Sequence, residues 1–232
     1  MPKKNKYVDF VSDEHFLDCV KYVCESYPED RDKVELTKHA LDALKMVFDM
    51  MNHNINTDEW ISAEKVRQTD KTVNNRIGNF HQKLLGGVDG WEDLGRGHPL
   101  GIDLKKQDNS IFIELKNRYN TVKGEDLKHV FDKLKRVADE NPKSIVYYAY
   151  VVPKKPGSGE KIWKTSQREA DKRIMEAWGF RVYEIVTEDK EALKKVFEAL
   201  PLAIKEIFKT KTLLKKEELK TVNEIFKKTF IS

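Results

Sequence analysis

The spacing of hydrophobic and polar residues divides the chain into a helical first part and a mixed second part. In residues 1–98 apolar side chains recur at intervals of three and four, the spacing of one face of a helix. Three such stripes lie in 15–27, 35–52 and 72–87. The segment 86–101 is rich in glycine and predicts a loop.

Beyond this loop, strand patterns alternate with helical patterns. Residues 101–106 and 111–117 alternate as two strands, and 144–152 is the uninterrupted apolar run of a buried strand. Amphipathic spacing predicts helices in 124–140 and 166–180, and 181–187 predicts a further strand. The order β-β-α-β-α-β indicates an α/β fold.

We therefore predict three regions: a helical N-terminal region (1–98), an α/β core with a mixed central sheet flanked by helices (99–204), and a helical C-terminal tail (205–232). The chain has no apolar run of membrane-spanning length, and its start lacks the apolar core of a signal peptide. Both features favour a cytoplasmic protein. Cys19 and Cys24 fit no metal or redox spacing, so we expect reduced thiols.

Three charged residues interrupt the two alternating strands near residue 100. A tight turn at Asp108 and Asn109 would make Asp103 the cross-strand partner of Glu114, and would place Lys116 on the same face. The opposite face would be the core face. Its members would be Ile102, Leu104, Ile111, Ile113 and Leu115.

Opposed carboxylates on a sheet repel each other, so this pairing needs a compensating positive charge. A divalent cation between Asp103 and Glu114 supplies one, and ligation by oxygen atoms alone suits Mg²⁺. Lys116 would then lie beside the cation, where it can orient a water molecule or stabilise a phosphate. The alternative for the same residues is a solvated sheet face on which Lys116 forms a surface ion pair.

The arrangement of Asp103, ten intervening residues, Glu114, Leu115 and Lys116 resembles the motif of the PD-(D/E)xK nuclease superfamily, with Ile102 in place of the motif's proline. A narrower similarity links this chain to type II restriction endonucleases that cut GGNCC or GGWCC sites. The segments that carry it are "NRIGNFHQKLLG" (75–86), "GWEDLG" (90–95), "GIDL" (101–104) and "ELKNRYNTVKG" (114–124).

This resemblance implies a restriction-endonuclease-like core and Mg²⁺-dependent, sequence-specific hydrolysis of double-stranded DNA in the prokaryotic cytoplasm. Asp103 and Glu114 would bind the metal, and Lys116 would complete the catalytic set. A palindromic target implies a homodimer, and a cognate DNA methyltransferase is the expected genetic partner. Two other functions stay open: a repair or recombination nuclease of the same superfamily, and a DNA-binding protein without catalysis.

Charge is distributed unevenly, in a way that fits a polyanionic partner. The net charge of +4 arises from −4 in residues 1–100 and +8 in 101–232. We predict that DNA contacts come from residues that follow the second alternating strand and from the basic segment 153–173. These candidates are Asn117, Asn120, Thr121, Lys123, Lys154, Lys155 and Arg168. The alternatives are turn formation by the Asn and Thr residues and solvation of the lysines.

Three further polar residues precede the motif without a defined role. Glu92 and Asp93 lie in the glycine-rich segment, where either one supplies an extra acid near the metal or caps the loop. Gln82, on the preceding helical stripe, either faces the site or packs elsewhere.

Overall fold

The computed structural model describes residues 5–28, 36, 41–95, 97–122, 125–165, 168–209 and 213–231. These residues form seven helices and six strands. The helices are α1 (Asp13–Cys24), α2 (Ala43–His53), α3 (Thr57–Gly86), α4 (Glu125–Glu140), α5 (Phe180–Thr187), α6 (Ala192–Ile207) and α7 (Lys216–Phe230). The strands are β1 (Trp91–Asp93), β2 (Leu104–Lys106), β3 (Ile111–Arg118), β4 (Ile145–Val152), β5 (Gly159–Ile162) and β6 (Ile174–Trp178). None of these helices is both long enough and apolar enough for a membrane span.

The six strands form one mixed sheet in the order β1-β2-β3-β4-β6-β5. β1, β2 and β3 pair in antiparallel fashion, β3, β4 and β6 run parallel, and β5 returns antiparallel to β6. The central strand β4 is apolar and buried along most of its length, as expected for a parallel strand covered on both faces. The predicted α/β class with a mixed central sheet and flanking helices is confirmed.

One face of the sheet packs against α4. Phe131, Leu134 and Val137 of this helix are buried in the same cluster as Phe112 of β3 and Val146 of β4. Their spacing of three and four residues places them on one side of α4, which explains why this amphipathic segment is a helix. Aromatic side chains complete the cluster, because Trp163 stacks on Tyr148 with ring centroids 4.6 Å apart.

The described residues divide into two compact units. The larger one comprises 1–21 and 78–232 and contains the sheet, and the smaller one comprises 22–77 and contains α2 and most of α3. In the smaller unit Trp60 is buried and donates a hydrogen bond of 3.0 Å to Asp49. Helix α2 buries none of its residues, although its spacing is that of an amphipathic helix.

An apolar strip runs along α2 in the smaller unit. Leu44, Val47, Phe48 and Met51 are 75%, 60%, 69% and 79% exposed, and their spacing places them on one side of the helix. Asp42 caps the N-terminus by accepting the Lys45 N–H, so the helix is well defined at its start.

Two predicted elements near the end of the sheet are wrong. The segment 181–187, predicted as a strand, lies in helix α5, and the segment 166–180, predicted as a helix, contains strand β6. The β-branched and aromatic residues of α5 favour a strand locally, but Val182, Tyr183 and Val186 bury one side of a short helix. Likewise, the segment Ile174–Trp178 is a strand because it pairs with β4, although the local spacing predicts a helix.

Two short strands lie where the sequence predicts loops. β1 falls within the glycine-rich segment 86–101, and β5 begins in the basic loop that follows β4. Both are edge strands of three or four residues, too short to show an alternating pattern.

A glycine sets the distance between the end of α3 and β1. A Cβ atom on Gly86 would lie 2.5 Å from the Cβ of Asp93 and 2.9 Å from its backbone nitrogen. The two segments therefore touch through a position that has no side chain.

Candidate active site

The hairpin of β2 and β3 has the predicted register. Leu104 pairs with Ile113, and Lys105 pairs with Phe112. The turn between the strands is stabilised by Asp108, whose carboxylate accepts the backbone N–H of Ser110 at 2.9 Å. The regular pairing ends at Leu104, because the backbone N–H of Asp103 donates to the oxygen of Ile113 at 3.1 Å and not to Glu114.

Both faces of β3 are covered, whereas the sequence analysis assigned core residues only to the face of Ile113 and Leu115 and gave a solvated opposite face as the alternative to a metal site. Phe112 and Glu114 are buried on the α4 side, and Ile113 and Leu115 are buried on the other side. Ile102, which was assigned to the face of Leu104, instead joins the cluster under α4. Glu114 therefore lies in an enclosed site rather than on a solvated surface.

One lysine bridges the two predicted metal ligands. Lys116 Nζ is 2.7 Å from Glu114 Oε1 and 3.5 Å from Asp103 Oδ2. Asp103 Oδ2 also accepts the backbone N–H of Leu115 at 2.7 Å. The side chains of Asp103, Glu114 and Lys116 are 23%, 6% and 20% exposed, so all three meet in a partly enclosed space on one side of the sheet.

A second lysine reaches the same site from α4, and the sequence analysis missed it. Lys133 Nζ lies 2.7 Å from Glu114 Oε2, and its side chain is 24% exposed. Its position between the partly buried Val130 and the buried Leu134 of the amphipathic stripe is the only signal in the sequence that points it toward the sheet.

The charges of the site shift the proton affinities of its members. Burial raises the pKa of Asp103, and the nearby charge of Glu114 raises it further, while Lys116 acts in the opposite direction. Burial alone would lower the pKa of Lys116, but the carboxylates of Asp103 and Glu114 outweigh it and hold that pKa above its usual value. Lys116 is therefore an ammonium ion in this arrangement.

Gln82 and Asp93 form a hydrogen-bond network that contacts the backbone of Asp103. The amide of Gln82 donates to Asp93 Oδ1 at 2.7 Å and to the backbone oxygen of Asp103 at 3.4 Å. Asp93 Oδ1 also accepts the N–H of Gly95 at 2.8 Å, which is a loop-capping interaction. Glu92 points to Lys105 instead, at 3.3 Å.

The oxygen atoms present fit a Mg²⁺ ion. Glu114 Oε2 is buried and, apart from its ion pair with Lys133 at 2.7 Å, has no hydrogen-bond partner among the described residues. Within the described part of the chain no three His, Cys, Asp or Glu side chains cluster closely enough to hold a metal by themselves. Two carboxylates with the remaining positions left to water and phosphate are typical of Mg²⁺ ligation.

The residues that follow β3 take different directions. The side chain of Asn117 lies on the face away from Glu114, where it hydrogen-bonds to His81 and approaches Gly78. Thr121 is exposed, and its hydroxyl donates to the backbone oxygen of Arg118 at 2.7 Å, which is a turn contact. Asn120 is exposed beside it. Lys123 lies outside the described residues.

The basic loop candidates are on the surface. Lys154 and Lys155 are exposed directly after β4. Arg168 forms a two-point ion pair with Asp132 of α4, with 2.6 Å between each pair of atoms. Any contact of Arg168 with DNA would have to compete with this carboxylate.

His81 belongs to the core and not to the site. Its ring is buried, and Nδ1 is 2.7 Å from the hydroxyl of Tyr183. Burial lowers the pKa of His81 to about 4, while a hydrogen bond between the ring and the Asn117 side chain acts in the opposite direction. Elsewhere in the larger unit Cys19 is a free, buried thiol, as predicted.

Comparison with known proteins identifies the group to which this chain belongs. The family model described as Eco47II restriction endonuclease matches residues 8–209. The chain belongs to the Eco47II restriction endonuclease family. The matched range includes α1, the whole sheet and the residues Asp103, Glu114 and Lys116.

Two relatives of this Eco47II family member agree with that assignment. The type II restriction enzyme Sau96I of Staphylococcus aureus is 30% identical over 96% of this chain and 89% of its own length. The type II restriction enzyme Eco47II of Escherichia coli is 29% identical over 86% of this chain and 87% of its own length. The predicted class, a type II restriction endonuclease and hence a site-specific deoxyribonuclease, is confirmed. This outcome argues against the alternatives of a repair nuclease and a non-catalytic DNA-binding protein.

Proposed function

We propose that this Eco47II family member cleaves double-stranded DNA in a Mg²⁺-dependent reaction at Asp103, Glu114 and Lys116, on a core of the PD-(D/E)xK type. The observation that carries this proposal is the position of the Lys116 ammonium group, 2.7 Å from Glu114 and 3.5 Å from Asp103. A pair of partly buried carboxylates with a shared lysine is costly for a fold and suits a site that binds a metal and a phosphate.

Each of the three side chains has a distinct task in this proposal. Asp103 and Glu114 would hold the metal, which polarises the scissile phosphate and lowers the pKa of bound water. Lys116 would orient the attacking water and neutralise the charge that develops on the phosphate oxygens. Attack of water on phosphorus with departure of the 3′ oxygen leaves 5′-phosphate ends.

The target would be a GGNCC-like palindrome, as the resemblance implies, and a two-fold homodimer would present one site to each strand. The apolar strip of α2 supports a dimer, because DNA offers no apolar partner of this kind. Four side chains with exposures of 60–79% present roughly 500–600 Å² per protomer, so two strips would bury about 1,000–1,200 Å², near the lower limit of a specific interface. A methyltransferase that protects the host sequence would be the genetic partner, and the prokaryotic cytoplasm would be the compartment.

The DNA contacts form a separate part of the proposal. Lys154 and Lys155 are exposed cations that suit phosphate contacts, and Arg168 has the planar group that reads guanine. Asn120 and Thr121 are exposed at the end of β3 and would contact the backbone near the site. Asn117, which faces His81, would act through the packing of β3, and Lys123 remains a candidate outside the described residues.

Digestion of a plasmid of known sequence with Mg²⁺ tests the proposal, with the ends mapped by sequencing. We expect discrete fragments with 5′ phosphates at one palindromic sequence. Asp103→Ala, Glu114→Ala and Lys116→Ala should each abolish cleavage, while the two acid variants should bind DNA as well as or better than the wild-type protein. Substantial residual cutting by either acid variant would remove the proposed metal role, and normal turnover by Lys116→Ala would reassign the lysine's task.

A further inference from the structure

Lys133 and Lys116 contact the same carboxylate, that of Glu114, but at different oxygen atoms. Lys116 Nζ is 2.7 Å from Glu114 Oε1, and Lys133 Nζ is 2.7 Å from Glu114 Oε2. Glu114 is thus held between ammonium groups from two different elements, β3 and α4. Within the described residues no hydrogen bond is made to Oε2, so this oxygen is the one that a metal ion could take.

The stem of Lys133 is confined by the backbone before β2. A Cβ atom on Gly101 would lie 3.1 Å from Lys133 Cδ, and Gly101 has a φ of +65°, a conformation that glycine adopts without strain. The side chain therefore runs through a narrow space above Gly101 before its ammonium group meets Glu114. This confinement makes the contact a built feature of the site and distinguishes it from a solvated surface lysine.

The formal charges of the site cancel when DNA and metal are absent. Asp103 and Glu114 contribute two negative charges, and Lys116 and Lys133 contribute two positive charges. A divalent cation would enter a site with no net negative charge, and it would compete with Lys133 for Glu114 Oε2. A DNA phosphate brings a further negative charge, with which Lys133 can form an ion pair once it has left Glu114.

We infer that Lys133 is a positioning residue that occupies the metal-facing oxygen of Glu114 in the free enzyme, so that tight cation binding requires DNA. Lys133 exchanges Glu114 for a phosphate oxygen when the substrate arrives, and Glu114 then becomes available to the metal. This inference rests on the proposed metal-binding role of Asp103 and Glu114. It assigns to α4 a direct influence on the order in which DNA and metal bind.

Calcium binding tests this inference without cleavage as a readout. Isothermal titration of the full chain with Ca²⁺ is compared in the absence of DNA and in the presence of a duplex that contains the mapped target. Lys133→Met keeps the aliphatic stem above Gly101 and removes the charge. We expect this variant to bind Ca²⁺ at least tenfold more tightly than the wild-type protein without DNA, and to show a correspondingly smaller gain in Ca²⁺ affinity when the duplex is added.

Two variants control for charge and position. Lys133→Arg keeps a cation near Glu114, so its Ca²⁺ affinity without DNA should stay within threefold of the wild-type value. Lys135→Gln lies on the same helix but pairs with Asp139 at the surface, so it should leave Ca²⁺ binding unchanged. Equal effects of Lys133→Met and Lys135→Gln would show a general charge effect and overturn the inference.

A further variant separates this inference from the proposed function. Asp103→Asn should weaken Ca²⁺ binding in the presence of DNA by at least tenfold. If it does so while Lys133→Met binds Ca²⁺ with wild-type affinity, the role of Lys133 is wrong and the metal site stands. If Asp103→Asn leaves Ca²⁺ binding intact, the proposed metal site itself is wrong. Thermal unfolding of each variant confirms that the fold is present, and Lys133→Gln, which also removes the charge, serves as the test if Lys133→Met does not fold.

Discussion

Asp103 and Leu115 are joined by a hydrogen bond of 2.7 Å from the backbone N–H of Leu115 to Asp103 Oδ2. The carboxylate therefore has a structural contact in addition to its proposed role as a metal ligand. An amide oxygen can accept the same N–H, but it carries no charge for a metal. Substitution by Asn and by Ala should consequently separate the two roles.

We predict that Asp103→Asn lowers plasmid cleavage by more than a thousandfold without loss of stability, because the hydrogen bond to Leu115 survives. Asp103→Ala should lose cleavage to the same degree and also lower the free energy of unfolding by about 1–3 kcal/mol, since a partly buried N–H is left without an acceptor. Cleavage assays with Mg²⁺ and denaturant unfolding measure both quantities. Cleavage by Asp103→Asn within tenfold of wild type would contradict the metal role.

Stability should fall in mild acid because of His81. Its pKa in the folded protein is about 4, against 6.5 when unfolded, because burial disfavours the charged ring. The unfolded chain therefore binds more protons between these values, and the free energy of unfolding should decrease by roughly 3 kcal/mol as the pH falls from 6.5 to 4. Denaturant unfolding at several pH values measures the slope.

The controls for this pH dependence are single histidine substitutions. His81→Asn, whose amide can still face the hydroxyl of Tyr183, should flatten the slope between pH 6.5 and 4. His129→Gln, at an exposed position of α4, should leave it unchanged. An unchanged slope in His81→Asn would mean that other groups govern the acid sensitivity.

The ion pair between Arg168 and Asp132 should limit DNA affinity if Arg168 contacts bases. Asp132→Asn removes the competing charge, so we expect it to tighten DNA binding about three- to tenfold. Arg168→Gln should weaken binding at least tenfold and reduce discrimination between target and non-target duplexes. Fluorescence anisotropy with Ca²⁺ measures both. Lys143→Gln, a loss of one exposed charge before β4, is the matched control, and equal losses in it and Arg168→Gln would leave Arg168 with no specific role.

The apolar strip of α2 should control assembly. Phe48→Glu places a charge in the middle of the strip, so we expect a dimeric wild-type protein and a monomeric variant in sedimentation experiments at micromolar concentration. A monomer carries one active site, and nicked circles should therefore accumulate before linear plasmid. His53→Glu, on the opposite side of the same helix, should remain dimeric. A dimeric Phe48→Glu would place the interface elsewhere.

The hairpin at the site could be predicted because its determinants are local. The alternation of apolar residues and the turn at Asp108 fix the pairing of Leu104 with Ile113, which places Asp103 beside the segment from Ile113 to Leu115. The identity of α5 and β6 could not be predicted, because Val182 and Ile174 have similar local preferences and only their tertiary partners distinguish helix from strand.

Contacts between segments that are distant in the sequence could not be predicted from the pattern of hydrophobic and polar residues. Lys133 reaches Glu114 only because α4 packs over Phe112, and Arg168 meets Asp132 for a similar reason. The same applies to Gln82, whose stripe shows that it is helical but not that its amide meets Asp93. Long polar side chains have no periodic signature, so their partners become visible only when the elements are placed in space.

The lack of space for a side chain at Gly86 restricts the substitutions that evolution or engineering can make there. Because a methyl group there would collide with Asp93, even alanine would force β1 away from α3. The hydrogen bonds from the Gln82 amide to Asp93 and to the backbone oxygen of Asp103 would then be lost. Position 86 is thus closed to substitution although it touches no reacting atom, and a library that randomises the surroundings of the catalytic residues should keep it fixed.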